Sequence, residues 1–174
     1  MRPILLSFAI VFTVAFICVF LANFALWINF KKGCADYLKL AGDAPDIYKA
    51  QEFLSKALDF MEKTGRTKGN SAFFFKTPRN DVGTWYQQIK GAEKTLKELI
   101  EQEKVEPHSV DRLTKDNALM KIREVVLDEG NEGVRVTLPQ HIDVFPKQVL
   151  FLFLYMGFGI LAAIFWLGWI FLSY

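Results

Sequence analysis

Residues 4–28, ILLSFAIVFTVAFICVFLANFALWI, contain no ionised side chain, and neither do residues 149–172, VLFLFLYMGFGILAAIFWLGWIFL. A helix of roughly 20 such residues is long enough to cross a hydrocarbon core of about 30 Å. Both stretches exceed that length. Apart from Arg2, every Asp, Glu, Lys and Arg lies between Lys31 and Lys147. The net charge of +2 over 174 residues therefore conceals two apolar blocks around one polar block. The first block is read as an uncleaved anchor, because the apolar core of a signal peptide is only about 7–15 residues long. The expectation is a mostly α chain with transmembrane helices at 3–30 and 148–173. Between them, residues 31–147 form a soluble antiparallel helical bundle with a minimal two-stranded β element.

Two patterns mark the apolar blocks. Phe8, Phe12, Phe16, Phe20 and Phe24 form an i,i+4 ridge. Ala15, Cys18, Ala22 and Ala25 form a seam of small residues at heptad spacing, and Gly159 and Ala163 make a small-x-x-x-small pair in the second block. Helices in lipid associate by close packing, which small residues permit, so these six are the candidate helix–helix packing residues. Trp27, Trp166, Trp169 and Tyr174 are candidate interface anchors. Lys31, Lys32, Lys39 and Lys147 outnumber Arg2, which under the positive-inside rule places the polar block in the cytoplasm and both termini on the other side. Labelling Cys34 with an impermeant thiol reagent is the natural test of that orientation.

The polar block reads as helices at about 31–41, 44–64, 82–105 and 109–129. Asp43-Ala44-Pro45-Asp46 is a helix start, an acidic cap at Asp43 followed by proline in the first turn, and Gly65 a C-terminal stop. Asn80 or Asp81 caps the third helix, and Ser109 caps the fourth, with Leu113, Leu119, Met120, Ile122 and Val126 as its core candidates. Val134, Val136 and Leu138 alternate with Arg135 and Thr137 as a strand over about 133–138. Its expected partner is the Phe73–Lys76 stretch, a strand at about 72–76.

Chemistry is sparse. No phosphate loop, nucleophile elbow, zinc motif or dinucleotide fingerprint occurs. His108 and His141 stand apart from any ligand spacing, and the carboxylates alternate with lysines as on solvated helix faces. No catalytic residue, cofactor or metal is assigned, and a non-enzymatic role is expected. An enzyme with an unfamiliar site near His108 or His141 is the remotest alternative.

One cluster stands out. Lys63, Arg66, Lys68, Lys76 and Arg79 follow one another without an intervening acid and surround Phe73-Phe74-Phe75. Such a loop suits anionic headgroups or an acidic protein partner. The plainer alternative is a solvated connector whose Phe side chains fill the core. The span–bundle–span order resembles the sensing half of bacterial chemoreceptors in topology, without a shared motif, and no signalling region follows the second span. The leading expectation is a membrane-anchored interaction or scaffold protein, an accessory subunit of a larger membrane complex. A lipid-responsive module acting through the basic Phe loop is the alternative. The expected partners are the lipid bilayer and a protein of unknown identity, with homo-oligomerisation left open and no nucleic acid.

Overall fold

The computed structural model describes residues 2–107, 109–130 and 133–172. The chain is mostly helical. In order it forms α1 (Arg2–Phe30), a π-helical turn (Lys31–Ala35), α2 (Asp36–Gly42), α3 (Ile47–Lys63), a 3-10 turn (Pro78–Asn80), α4 (Val82–Val105), α5 (Arg112–Val126), β1 (Leu127–Gly130), β2 (Gly133–Val136) and α6 (Gln148–Phe171). It divides into two compact units, one of Met1–Ile28 with Lys147–Tyr174, the other of Asn29–Pro146.

In the first unit, two helices are long and apolar enough to cross a membrane, one beginning in α1 and the other α6. They run antiparallel, because early residues of α1 meet late residues of α6. Phe8 and Phe12 lie 5.2 and 5.4 Å from the Phe165 ring, and Phe16 meets Tyr155 edge-on at 5.6 Å. Ring pairs of this kind contribute about 0.5–1.5 kcal/mol each beyond area burial. The Trp166 Nε1–H donates to Thr13 Oγ1 at 3.1 Å, and that hydroxyl donates to the Ala9 carbonyl at 2.7 Å. Ala9 is fully buried on this face.

In the second unit, helix starts are set by aspartates. Asp46, Asp81 and Asp111 accept from the backbone N–H of Lys49, Thr84 and Thr114, each at 2.8 Å. Each cap satisfies one otherwise orphaned donor, worth about 1 kcal/mol. Gly65, at φ 72°, takes the left-handed position that ends α3. The caps differ from two expectations. Asp46, next to the first helical turn, replaces Asp43. Asp111 replaces Ser109, whose hydroxyl turns back to the Gln102 carbonyl at 3.3 Å.

The core forms where α3 packs on α2 and α4 and where α5 packs on α2 and α4. Leu38, Leu54, Met61, Ile89, Leu96 and Val126 are among its fully enclosed side chains. Ile122 and Val126 belong to this core as their spacing suggests. Leu113 and Met120, also expected inside, are 66% and 62% exposed. They sit seven residues apart on a different face of α5 from Ile122 and Val126, so one helix rotation cannot bury both sets.

The two-stranded antiparallel sheet is a local hairpin. Leu127 pairs with Val136 and Gly130 with Gly133. The partner of β2 is therefore Leu127–Gly130, which sequence reasoning assigned to the end of a helix, and not Phe73–Lys76, which carries no strand. A hairpin closes a shorter loop than a pairing some sixty residues apart, so its entropic cost is lower. Gly133, at φ 102°, supplies the backbone the turn needs. The Thr137 N–H then donates to the Val126 carbonyl at 2.9 Å, and the Trp85 Nε1–H to the Thr137 carbonyl at 2.9 Å, fastening the hairpin to α4 and α5.

Among the polar ties that join the helices are those of Glu93 and Glu103. Glu93, only 6% exposed, accepts from Ser55 Oγ at 2.7 Å across the α3–α4 contact and pairs with Lys97. Glu103 on α4 accepts from the Tyr48 hydroxyl of α3 at 2.9 Å and pairs with Lys115 of α5.

Two tests follow from this packing. A β-carbon on Gly33 would clash with the Cδ2–Cε2 edge of the Phe60 ring, whereas one on Gly91 meets open space. Gly33→Ala should destabilise the protein by about 1–3 kcal/mol through overpacking. Gly91→Ala should stabilise it by about 0.5–1 kcal/mol through helix propensity. Thermal unfolding in detergent reads both. For Glu93, burial pushes the carboxyl pKa up, but the hydrogen bonds from Lys97 and Ser55 outweigh it and hold the pKa below its ordinary value. Its contribution is then complete above the ordinary carboxylate pKa and fades as pH falls through the lower folded value. Glu93→Gln should narrow the stability difference between neutral and acidic pH; an unchanged difference would mean the tie contributes nothing.

Candidate interaction site

The connector between α3 and α4 gathers most of the unusual side chains. Its neck is closed by backbone and amide bonds. The Ser71 N–H donates to the Asn80 carbonyl at 2.9 Å, and the Val82 N–H to the Gly69 carbonyl at 2.9 Å. Asn70 Nδ2 reaches the Thr77 carbonyl at 3.1 Å, while its Oδ1 accepts from the Ala72 N–H at 3.0 Å. Ser71 and Asn80 are buried. A polar, glycine-containing segment is expected to form such side-chain-to-backbone turns.

The neck is lashed to residues 140–145. The Gln140 N–H donates to Asn80 Oδ1 at 3.1 Å. The rings of Phe73 and His141 lie 4.1 Å apart, with His141 held at φ 56°, a conformation costly for a residue other than glycine. Gly69 lies against the Phe145 ring, where a β-carbon would come within 3.0 Å of Cζ.

Arg66 is the principal fastening. It is 6% exposed. Its Nε–H donates to the Ile142 carbonyl at 2.9 Å and its Nη2 to the Asp143 carbonyl at 2.7 Å. The guanidinium also lies 5.5 Å from the centre of the Phe30 ring and 5.7 Å from that of Phe60. Those two rings meet edge-on at 6.2 Å. Burial presses the guanidinium pKa down, with the charge of Asp143 among the opposing influences. An arginine stays protonated throughout, so the charge is retained and shared between two carbonyl dipoles and two aromatic faces.

The five cations of the cluster thus have three fates. Arg66 is internal and structural. Lys63 pairs with Asp59 at 2.6 Å on the exposed face of α3. Lys68, Lys76 and Arg79 are exposed, and among the described residues none of them forms a salt bridge. The three phenylalanines also divide. Phe73 is half-buried on His141, but Phe74 and Phe75 are 77% and 84% exposed. They do not fill the core.

The small-residue seam is placed differently from the aromatic face that joins α1 to α6. Gly159 is half-buried and its Cα side faces the Phe16 ring; Ala15 is half-buried; Cys18, Ala22, Ala25 and Ala163 are exposed. Large rings make the α1–α6 contact because Phe8, Phe12 and Phe16 of the ridge meet Phe165, Phe158 and Tyr155 there. Cys34 is fully buried, which removes it as a target for an impermeant thiol reagent. His108 lies outside the described residues. His141 is engaged with Phe73, and no group of three or more His, Cys, Asp and Glu fit to hold a metal occurs among the described residues.

Sequence reasoning did not single out Asn80, Gln140, Ile142 or Asp143 as partners of this connector. Two of those contacts run to backbone carbonyls, which any residue type presents. The legible signal was the run Gly69-Asn70-Ser71, a turn composition with no reason to lie idle between two helices.

Arg66→Met should lower stability by about 1–3 kcal/mol, since two carbonyls lose their charged donor. Arg66→Lys should recover only part, because an ammonium cannot reproduce the two-pronged geometry. In the same preparation Cys34 should resist thiol reagents until the protein is denatured. Rapid labelling under native conditions would contradict its burial. No protein-family model, curated protein or solved structure matches this chain.

Proposed function

We propose that this chain is a two-span membrane protein whose water-facing helical unit serves as a docking module, in the manner of a scaffold or accessory subunit. Residues 3–30 and 148–173 cross the bilayer as an antiparallel hairpin, and residues 31–147 form an antiparallel helical bundle on the cytoplasmic side. The observation that carries this reading is the surface of α1 and α6. Phe20, Leu21, Phe153, Ile164 and Leu167 are about half or more exposed, on helices without an ionised side chain in their apolar runs. In water such a surface would associate indiscriminately; in hydrocarbon it is simply solvated.

Support for a docking role comes from the second unit. It has a core of its own, yet leaves Leu113 and Met120 exposed on α5 beside charged neighbours. Apolar anchors rimmed by polar groups are the usual composition of a protein contact face. Lys31, Lys32, Lys39 and Lys147 flank the spans on the side of this unit and favour cytoplasmic placement.

Two measurements test the proposal. The full chain should remain in the pellet when membranes are washed with alkaline carbonate, and tags on the two termini should be equally protected from protease in sealed inverted vesicles, whose lumen is the non-cytoplasmic side. Release into the wash would overturn the membrane reading, and termini on opposite sides would overturn the hairpin. Leu113→Asp with Met120→Asp should leave membrane retention and thermal stability nearly unchanged, since both side chains are exposed, while abolishing co-purification of a specific partner from mild detergent. A partner profile unaffected by the pair would remove α5 as the docking face.

A further inference from the structure

We infer that the tip of the α3–α4 connector is a third membrane contact, in which Phe74 and Phe75 enter the interfacial region of the bilayer and Lys68, Lys76 and Arg79 engage anionic headgroups. The inference rests on the membrane-anchored reading above and adds a lipid-binding site to it.

Four observations carry it. Phe74 and Phe75 are adjacent and more exposed than most large apolar residues of the chain. Single exposed hydrophobic residues are ordinary, but here two neighbouring rings stay exposed together, Phe74 touching only the edge of its own cluster through Phe73 at 6.5 Å. The charge around them has one sign: from Thr64 to Asn80 there is no acid. Arg66 and Lys63 are engaged elsewhere, which leaves Lys68, Lys76 and Arg79 available to a negatively charged surface. Rings for the acyl boundary and cations for phosphate are the two components of interfacial binding. An acidic protein would satisfy the cations but would need a pocket for two rings, whereas a bilayer accommodates them without any complementary shape.

The neck geometry supplies the third observation. A floppy connector would gain nothing from a wedge at its tip, since the entropy of ordering it would offset the burial. Here the neck is closed by hydrogen bonds. Ser71 and Asn80 close it, and Arg66, Gly69 and Phe73 fasten it to Ile142, Phe145 and His141. The fourth observation is where that fastening lies in the chain. Phe145 precedes Gln148, the first residue of α6, by only three positions. The connector is thus tied to the stretch of chain that leads in sequence to the second apolar helix.

The full chain is suited to a depth measurement. In a Cys18→Ala background the buried Cys34 is the only remaining cysteine, and an environment-sensitive fluorophore can be attached through Phe75→Cys, Val14→Cys or Val105→Cys. Val14 lies within α1, and Val105 is exposed at the end of α4. Each labelled protein is reconstituted into phosphatidylcholine vesicles containing phosphatidylglycerol. The label at 14 should be quenched by lipids spin-labelled deep in the acyl chain. The label at 75 should be quenched by lipids spin-labelled near the headgroup and shifted to the blue. The label at 105 should respond only to a water-soluble quencher.

Adding Lys68→Gln, Lys76→Gln and Arg79→Gln should cause loss of the lipid quenching at 75 in these anionic vesicles, while the label at 14 stays unchanged. A label at 75 that behaves like the one at 105, while 14 remains quenched, overturns the inference alone. Shielding at 75 in native membranes but not in pure lipid vesicles also overturns it, in favour of a protein occupant. Failure of quenching at 14 overturns the anchoring itself. Moving the label to Phe74→Cys repeats the measurement independently of any damage done at 75.

Discussion

A single buried cation organises the polar unit. Arg66 follows the left-handed Gly65 that ends α3, so its side chain turns inward where the helix stops. There it bridges three parts of the chain distant in sequence: Phe30 at the end of α1, Phe60 on α3, and the carbonyls of Ile142 and Asp143. A buried charge is tolerated only when hydrogen bonds replace the lost water. Two carbonyl acceptors and two ring faces meet that condition, and among the described residues Arg66 forms no salt bridge. The connector that follows Arg66, and the segment that leads to α6, are therefore set by one side chain's need for acceptors.

The π-helical turn at Lys31–Ala35 and the glycine within it belong to the same arrangement. Gly33 leaves room for the Phe60 ring, which in turn packs edge-on against Phe30 beneath Arg66. A π-type turn inside an α-helix accommodates one extra residue. Here it lies where the apolar stretch of helix gives way to residues of a packed core, Phe30, Cys34 and Leu38. Elsewhere in the unit, Glu93 and Glu103 act as local crossties. Each links helices through hydroxyl and lysine donors, and such polar ties specify one register among several that apolar packing alone would allow.

The contrast within the basic cluster bears on function. Five cations that look equivalent in sequence divide into one structural arginine, one helix-surface pair and three exposed charges around two exposed rings. A cluster of cations is therefore a poor unit of reasoning until burial separates its members. The same holds for the small-residue seam, most of which is exposed while the α1–α6 contact is built of Phe, Tyr and Trp rings.

The sequence by itself determined the division into two apolar blocks and one polar block, since the absence of ionised groups over more than twenty residues admits few environments. It also determined the helical character of the polar block and many of the core positions, among them Leu54, Met61, Ile89 and Leu96, because a period of 3.6 residues is a local property. Only the tertiary structure decided that Leu113 and Met120 stay outside, that β2 pairs with Leu127–Gly130, and that Arg66 belongs to the interior while Phe74 and Phe75 do not. Those outcomes depend on which surfaces meet and on backbone carbonyls as acceptors. A carbonyl is common to every residue, so no pattern of residue types announces which one a distant arginine will find.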